Sequence, residues 1–276
     1  MAKDRYGELT PLGARQHRGI AKRMYENFPE VFQGVAAVDA RSTVVIRCIL
    51  SMMAECLQLQ SMNPKLQIKN DASYYDMYYM NNEDDYFRKQ RKTDEVLAVK
   101  EAFRKEHLHP ERLMKSLFNS QDYVKWKVDA DKLMSYLFEL AVIMQNHDTD
   151  IELYLLENIL NTADTCIVKK ENNVTLRFGH ESCVLPLACL LELGDCAYQT
   201  TDLNSLAEVW RNYKIFPMAC NIQFVFYRKK GSDDILVKVL LNEQEMKLPV
   251  ESTLAPYYHW KDVETYYRNK LAAFRK

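Results

Sequence analysis

TLRFGHESCVLPLACLLELG, residues 175–194, changes its periodicity halfway along. Residues 174–179 read as a short buried strand running into a turn, and residues 182–193 read as a helix that is apolar nearly all round. Gly179 stands at the joint, where a residue without a side chain lets the chain turn sharply and leaves the next imidazole exposed at the strand tip. Gly194 suits the position just beyond the helix. A strand running straight into a helix is the unit of an α/β sheet, and ligands of such sheets bind beyond the carboxyl ends of the strands. His180 and Glu181 fall at that place. They are either an ordinary strand–helix loop or an anion donor beside a general acid.

Working outward, the same unit recurs upstream. QGVAAVDA (33–40) reads as a buried strand. Ser42 or Thr43 is expected to cap the following helix, whose positions 46, 49, 50, 53 and 57 form one apolar face. Arg47 lies on the opposite face, with Ser51 and Glu55 at helical spacing. It is either a surface arginine paired with Glu55 or a guanidinium fork for an oxyanion at a helix N-terminus. Earlier still, Thr10-Pro11 opens a helix with Thr as N-cap and Pro at the first position. Downstream, NIQFVFYR (221–228) and DILVKVLL (234–241) flank the turn KKGSD as a hairpin, and MKLPV (246–250) is expected as a further short strand.

Between Gly34 and Gly179 lie 144 residues without glycine. Tight turns draw on glycine and proline, so this span is expected to be mainly helical. DEVLAVKEAFRKEHL, KLMSYLFELAVIMQ and IELYLLENILNTA carry apolar residues at helical spacing. The expected organisation is an α/β domain of residues 1–70 and 173–276, interrupted by a helical cap at 71–172. The segment ASYYDMYYMNNEDDYF (72–87) holds five tyrosines, which either pack on a neighbouring domain or wall a cleft.

Composition narrows the chemistry. Seven glycines in 276 residues leave no G-x-G-x-x-G and no G-x-x-x-x-G-K-[ST], so a phosphate would be held without a Gly-rich cradle. The net charge of −1 argues against a general grip on nucleic acid. No apolar run is long enough to span a membrane, and MAKDRYGELT is no export signal. Seven cysteines without a C-x-x-C read as small buried thiols and not as a zinc site. No G-x-S-x-G occurs, which weakens a serine hydrolase.

GELTPLGARQH (7–17), VDARSTVVIRCILSM (38–52), YYDMYY (74–79), TLRFGHESCVLPLACLLEL (175–193), the hairpin and PYYHW (256–260), taken in order, resemble the histidine acid phosphatases. These are branch two of the histidine phosphatase superfamily, and the likeness is greatest to bacterial multiple inositol polyphosphate phosphatase and phytase-like members. The resemblance implies a phosphoglycerate-mutase-like three-layer αβα domain with an inserted helical cap. It also implies a two-step hydrolysis of phosphate monoesters through a phosphohistidine, with no cofactor and no metal. Arg47 then matches a phosphate-holding arginine and His180 the second histidine, which hydrogen-bonds the phosphate. Glu181 matches the proton donor, although the inositol phosphatase subgroup puts its Glu two residues after the His, where this chain has Ser182.

One element of the pattern is missing: the family's nucleophile belongs to R-H-G-x-R on the first strand, and no R-H-G occurs in these residues. The expectation is therefore a truncated or degenerate chain lacking that first strand, inactive alone, in one of two roles. It is either part of an inositol polyphosphate phosphatase or a non-catalytic phosphate-binding protein of the same fold. A mainly helical interaction protein is the remaining reading. The expected ligand is a small phosphate ester or phosphate, without nucleic acid or membrane partners, and a homo-oligomer is left open. A periplasmic or secreted location is expected for the full-length parent.

Overall fold

The computed structural model describes residues 7–34, 36–81, 93–107, 153–169, 173–200 and 206–274. The chain divides into two compact units, residues 1–82 with 149–276 and residues 83–148. The first unit opens with α1 (Pro11–Asn27), a 3-10 turn (Pro29–Phe32), β1 (Ala37–Ser42), α2 (Ile46–Met62) and β2 (Gln67–Ala72). A 3-10 turn (Tyr74–Asp76) and α3 (Met77–Met80) follow. The second unit contributes α4 (Asp94–His107), and KLMSYLFELAVIMQ lies outside the described residues. The first unit resumes with α5 (Leu153–Lys169), β3 (Asn173–Phe178), α6 (Glu181–Leu190), α7 (Leu206–Val209) and α8 (Asn212–Ile215). Last come β4 (Ile222–Arg228), β5 (Ile235–Leu241), β6 (Gln244–Glu245), β7 (Tyr258–His259) and α9 (Trp260–Phe274).

The strands form two sheets. In the first, β1 lies between β2 and β3, all parallel, with Ser42 opposite both Ala72 and Phe178. Val38, Ala40 and Ser42 are buried on one face of β1. Ala40 packs there with Cys48, Met52 and Cys56 of α2 and with Phe178, while Ala21 of α1, Phe32, Leu59 and Leu66 close a second cluster. The other face carries Asp39, Arg41 and Arg177, and the Arg177 guanidinium donates to Asn158 and Thr162 of α5. The second sheet is antiparallel, the hairpin β4–β5 extended by β6 and β7.

Several local readings are borne out. Thr10 Oγ1 accepts from the Gly13 amide at 3.0 Å, with Pro11 in the first turn. The strand before Gly179 and the hairpin around KKGSD form where expected. Four readings need correction. The first strand is shifted toward the C-terminus, to Ala37–Ser42, because register with β2 and β3 decides its ends. Neither Ser42 nor Thr43 caps α2, because β1 continues through Ser42 and the helix begins after Val45, with no side-chain cap. MKLPV is no strand: β6 consists of Gln244–Glu245, just before it.

The fourth correction concerns which face of α2 is inside. Ile46 and Leu57 are 63% and 64% exposed and Met53 is exposed, whereas Cys48, Ser51, Met52, Glu55, Cys56 and Leu59 are buried. The helix is apolar on more than one side, so hydrophobicity alone could not choose the inner one. At the far end of α6, Glu192 takes the left-handed position directly after the cap Leu191, and Gly194, also at positive φ, stands two residues further on. There the Glu192 amide donates to Cys189 and the Leu193 amide to Ala188, closing a Schellman turn. Tyr267 and Lys270 of α9 donate to the remaining carbonyls of Leu191 and Leu190. That pins the helix whose other end carries His180.

Leu59 is completely buried between α1 and the sheet. Leu59→Ala is expected to lower the unfolding free energy by about 2–5 kcal/mol in urea titrations followed by circular dichroism.

Candidate functional site

Because β1 and β3 end level, the loop 43–45 and the turn at Gly179 leave the sheet side by side. The Thr43 amide donates to the Phe178 carbonyl at 3.0 Å, and the Cys48 thiol donates to the Gly179 carbonyl at 3.1 Å. Gly179 is not in the left-handed region; a Cβ there would meet the Met80 carbonyl oxygen at 3.3 Å. Glycine is favoured there by close approach and not by a special dihedral. The chain leaves it in extended conformation, and His180 becomes the N-cap residue of α6.

The His180 ring is not exposed at a strand tip, as its position in the sequence implied, but buried at 9% exposure. Thr43 Oγ1 lies 3.3 Å from its Nε2, Arg47 Nη2 lies 3.1 Å from its Nδ1, and Cys48 Sγ lies 3.8 Å from Nδ1. A guanidinium can only donate, so Nδ1 accepts, the ring is neutral, and the proton sits on Nε2 facing Thr43. Arg47 itself is exposed on its outer side. It is not paired with Glu55, which is taken by His17 at 2.8 Å. Glu181 is half-buried at the first position of α6, where the helix dipole favours a carboxylate. The structure thus brings Arg47 to His180, with Glu181 adjacent in sequence.

Cys48 beside His180 resembles a thiol–imidazole dyad in outline only. Burial raises the Cys48 thiol by more than Thr43 and Arg47 lower it, Glu181 adds a little to the rise, and the sulfur's proton is engaged by Gly179. Cys56 and Cys196 are pushed to about 11 and Cys220 to about 12, chiefly by burial. Such thiols stay protonated near neutral pH and make poor nucleophiles. All seven cysteines are free, and no cluster of three or more metal-ligating side chains occurs among the described residues.

The chain superposes on the multiple inositol polyphosphate phosphatase of Bifidobacterium longum in complex with inositol hexasulfate with a TM-score of 0.71. That match covers 98% of this chain and 81% of the other at 17% identity. The phytase of D. castellii matches at TM-score 0.59 and 13% identity over 96% of this chain and 66% of its own. The phytase of Klebsiella sp. ASR1 gives 0.52 and 11%, over 96% and 86%. This is the fold of the inositol polyphosphate phosphatases and phytases. No protein-family model and no curated protein matches the sequence. The expected resemblance is therefore borne out as a likeness of mixed α/β fold with a parallel sheet.

Within this phytase-like fold, two groups near the strand ends escaped the sequence reading. Arg41, next to Arg177 in register, is held by Asp39 at 3.2 Å and by the buried Asp76 at 3.1 Å. The pairing of β1 with β2 brings Asp76 to Arg41, and the pairing with β3 sets Arg177 alongside. The other group is Glu55 with His17. The His17 ring lies 6.2 Å from Phe178, and its Nδ1 meets the buried Glu55. The spacing of Arg47, Ser51 and Glu55 was visible, but its inward side was not. Burial raises the Glu55 carboxyl, and the contact with His17 offsets this only in part.

A carboxyl whose folded pKa is raised binds its proton more tightly folded than unfolded, so its contribution to stability declines as pH rises through the interval between the two values. Glu55→Gln keeps the acceptor for His17 and removes that titration. Between about pH 4.5 and 7, Tm of the parent should gain less, or lose more, with rising pH than Tm of the variant; parallel profiles would contradict this. In nitrogen-detected NMR at neutral pH, His180 should show the Nε2–H tautomer.

Proposed function

We propose that the chain is a phosphomonoester hydrolase of histidine acid phosphatase type, acting on inositol polyphosphates or similar phosphate esters. The observation that carries this reading is the contact of Arg47 with the buried His180 at the head of α6, beyond the carboxyl ends of parallel strands. The support from related folds is that the B. longum phosphatase binds inositol hexasulfate and phosphate. Arg47 is a fork of donors matched to phosphate oxygens. On binding, its guanidinium exchanges His180 Nδ1 for the anion; the released Nδ1 then takes a proton, and the imidazolium donates to a phosphoryl oxygen. Water bonds to phosphorus as the ester P–O bond breaks, and Glu181 gives its proton to the leaving alcohol.

A second reading, a non-catalytic phosphate-binding protein of the same fold, is favoured by one feature. The 276 residues contain no R-H-G-x-R, and so no nucleophilic histidine of the kind this chemistry uses. The two readings part on turnover. Calorimetry should detect inositol hexakisphosphate and inorganic phosphate, and Arg47→Ala should weaken both by roughly 10- to 100-fold, the value of a charge-assisted hydrogen bond. Release of phosphate from p-nitrophenyl phosphate or inositol hexakisphosphate at acidic pH supports the hydrolase, and binding without release supports the second reading. Absence of binding by the parent chain overturns both.

A further inference from the structure

The tyrosine-rich turn after β2 has no role in the site described so far. It leaves the sheet at the same end as Gly179, because Ala72, Ser42 and Phe178 are level across the three strands. Strand spacing of about 4.8 Å sets the exit of β2 roughly 10 Å from that of β3, within the span of a polyphosphorylated ring. The turn is firmly held. Ser73 Oγ accepts from the Tyr75 amide at 3.1 Å, and Asp76 is buried against Arg41. Met77, Tyr79 and Met80 are buried. The Met80 carbonyl accepts from the Cys183 thiol at 3.4 Å and is the atom that a side chain at position 179 would crowd, at 3.3 Å from its Cβ. The same short segment therefore abuts the residue next to His180.

Between these anchors three rings face outward. Tyr74 and Tyr75 are 81% and 82% exposed, and Tyr78, stacked edge-on against Tyr79 and Tyr154, is 50% exposed. Leaving three large rings in water on an ordered segment forgoes burial that other tyrosines of the chain obtain, Tyr258 and Tyr267 among them. A phenol offers what a dense polyanion needs at the rim of its site: a neutral hydroxyl donor on a stiff side chain with little rotamer entropy to lose. Further arginines would instead add mutual repulsion near Arg41, Arg47 and Arg177.

We propose that Tyr74 and Tyr75 form an outer subsite that binds the phosphates of a polyphosphorylated ring that are not at His180. This inference rests on the phosphatase reading and names the residues that distinguish a polyphosphorylated substrate from a simple monoester. The tyrosines are positioning residues for the distal part of the ligand and take no part in bond making.

The test compares two ligands on the full chain. Calorimetry with inositol hexakisphosphate and with inorganic phosphate is run on the parent, on Tyr74→Phe/Tyr75→Phe and on Tyr74→Ala/Tyr75→Ala. Loss of the two hydroxyls should weaken inositol hexakisphosphate about tenfold while leaving phosphate unchanged, and alanine should cost little more than phenylalanine. Equal affinity of the parent and the phenylalanine variant for inositol hexakisphosphate overturns the subsite. So does a parallel loss for both ligands, which would mean that the anion site itself was disturbed. A parent that binds neither ligand fails at the phosphatase reading, and the subsite falls with it.

Discussion

Strands β1 and β3 pair in parallel over six residues with no offset, and Ser42 and Phe178 end together. A slip of one residue would turn each side chain to the other face, exposing Val38 and Ala40 and burying Asp39 and Arg41. The register is thus enforced by the burial it creates. Its consequence at the strand ends is chemical, because two loops far apart in the chain emerge as neighbours. Thr43, with Arg47 and Cys48 in the first turn of the helix beyond it, comes from one, and Gly179 and His180, with Glu181 at the head of the next helix, from the other.

From that juxtaposition follows the state of His180. A buried imidazole needs partners for both nitrogens, and here one neighbour is a donor without exception. The ring is kept neutral with its proton toward Thr43, while Arg47 keeps an exposed side available to an anion. The helix that begins at Glu181 is fixed at its other end by Tyr267 and Lys270. The site therefore stands on elements that are held at both ends, a requirement for geometry that must not drift by an ångström.

How much of this was legible depends on whether a signal is local. Thr10-Pro11, the hairpin around KKGSD and the strand before Gly179 are written in neighbouring residues, and each forms as read. The face of α2 was misread because Ile46, Met53 and Leu57 are as apolar as Met52 and Leu59, and only the sheet decides which side is covered. Ser42 and Thr43 have the chemistry of caps, yet the strand claims the first, and the second is drawn to His180. Glu192 in a left-handed position, with Gly194 two residues on, shows a helix end chosen by contacts with α9 over backbone preference.

The sequence by itself determined the alternation of strand and helix, the candidate residues Arg47, His180 and Glu181, and the absence of Gly-rich phosphate loops, since periodicity and residue chemistry are local properties. Tertiary structure decided which of these residues meet. It joined Arg47 to His180 across 133 positions, gave Glu55 to His17, and set the tyrosine turn against Gly179. The reason is that strand register and the choice of buried face are settled by the free energy of the whole packed unit, and no short window of sequence contains that sum.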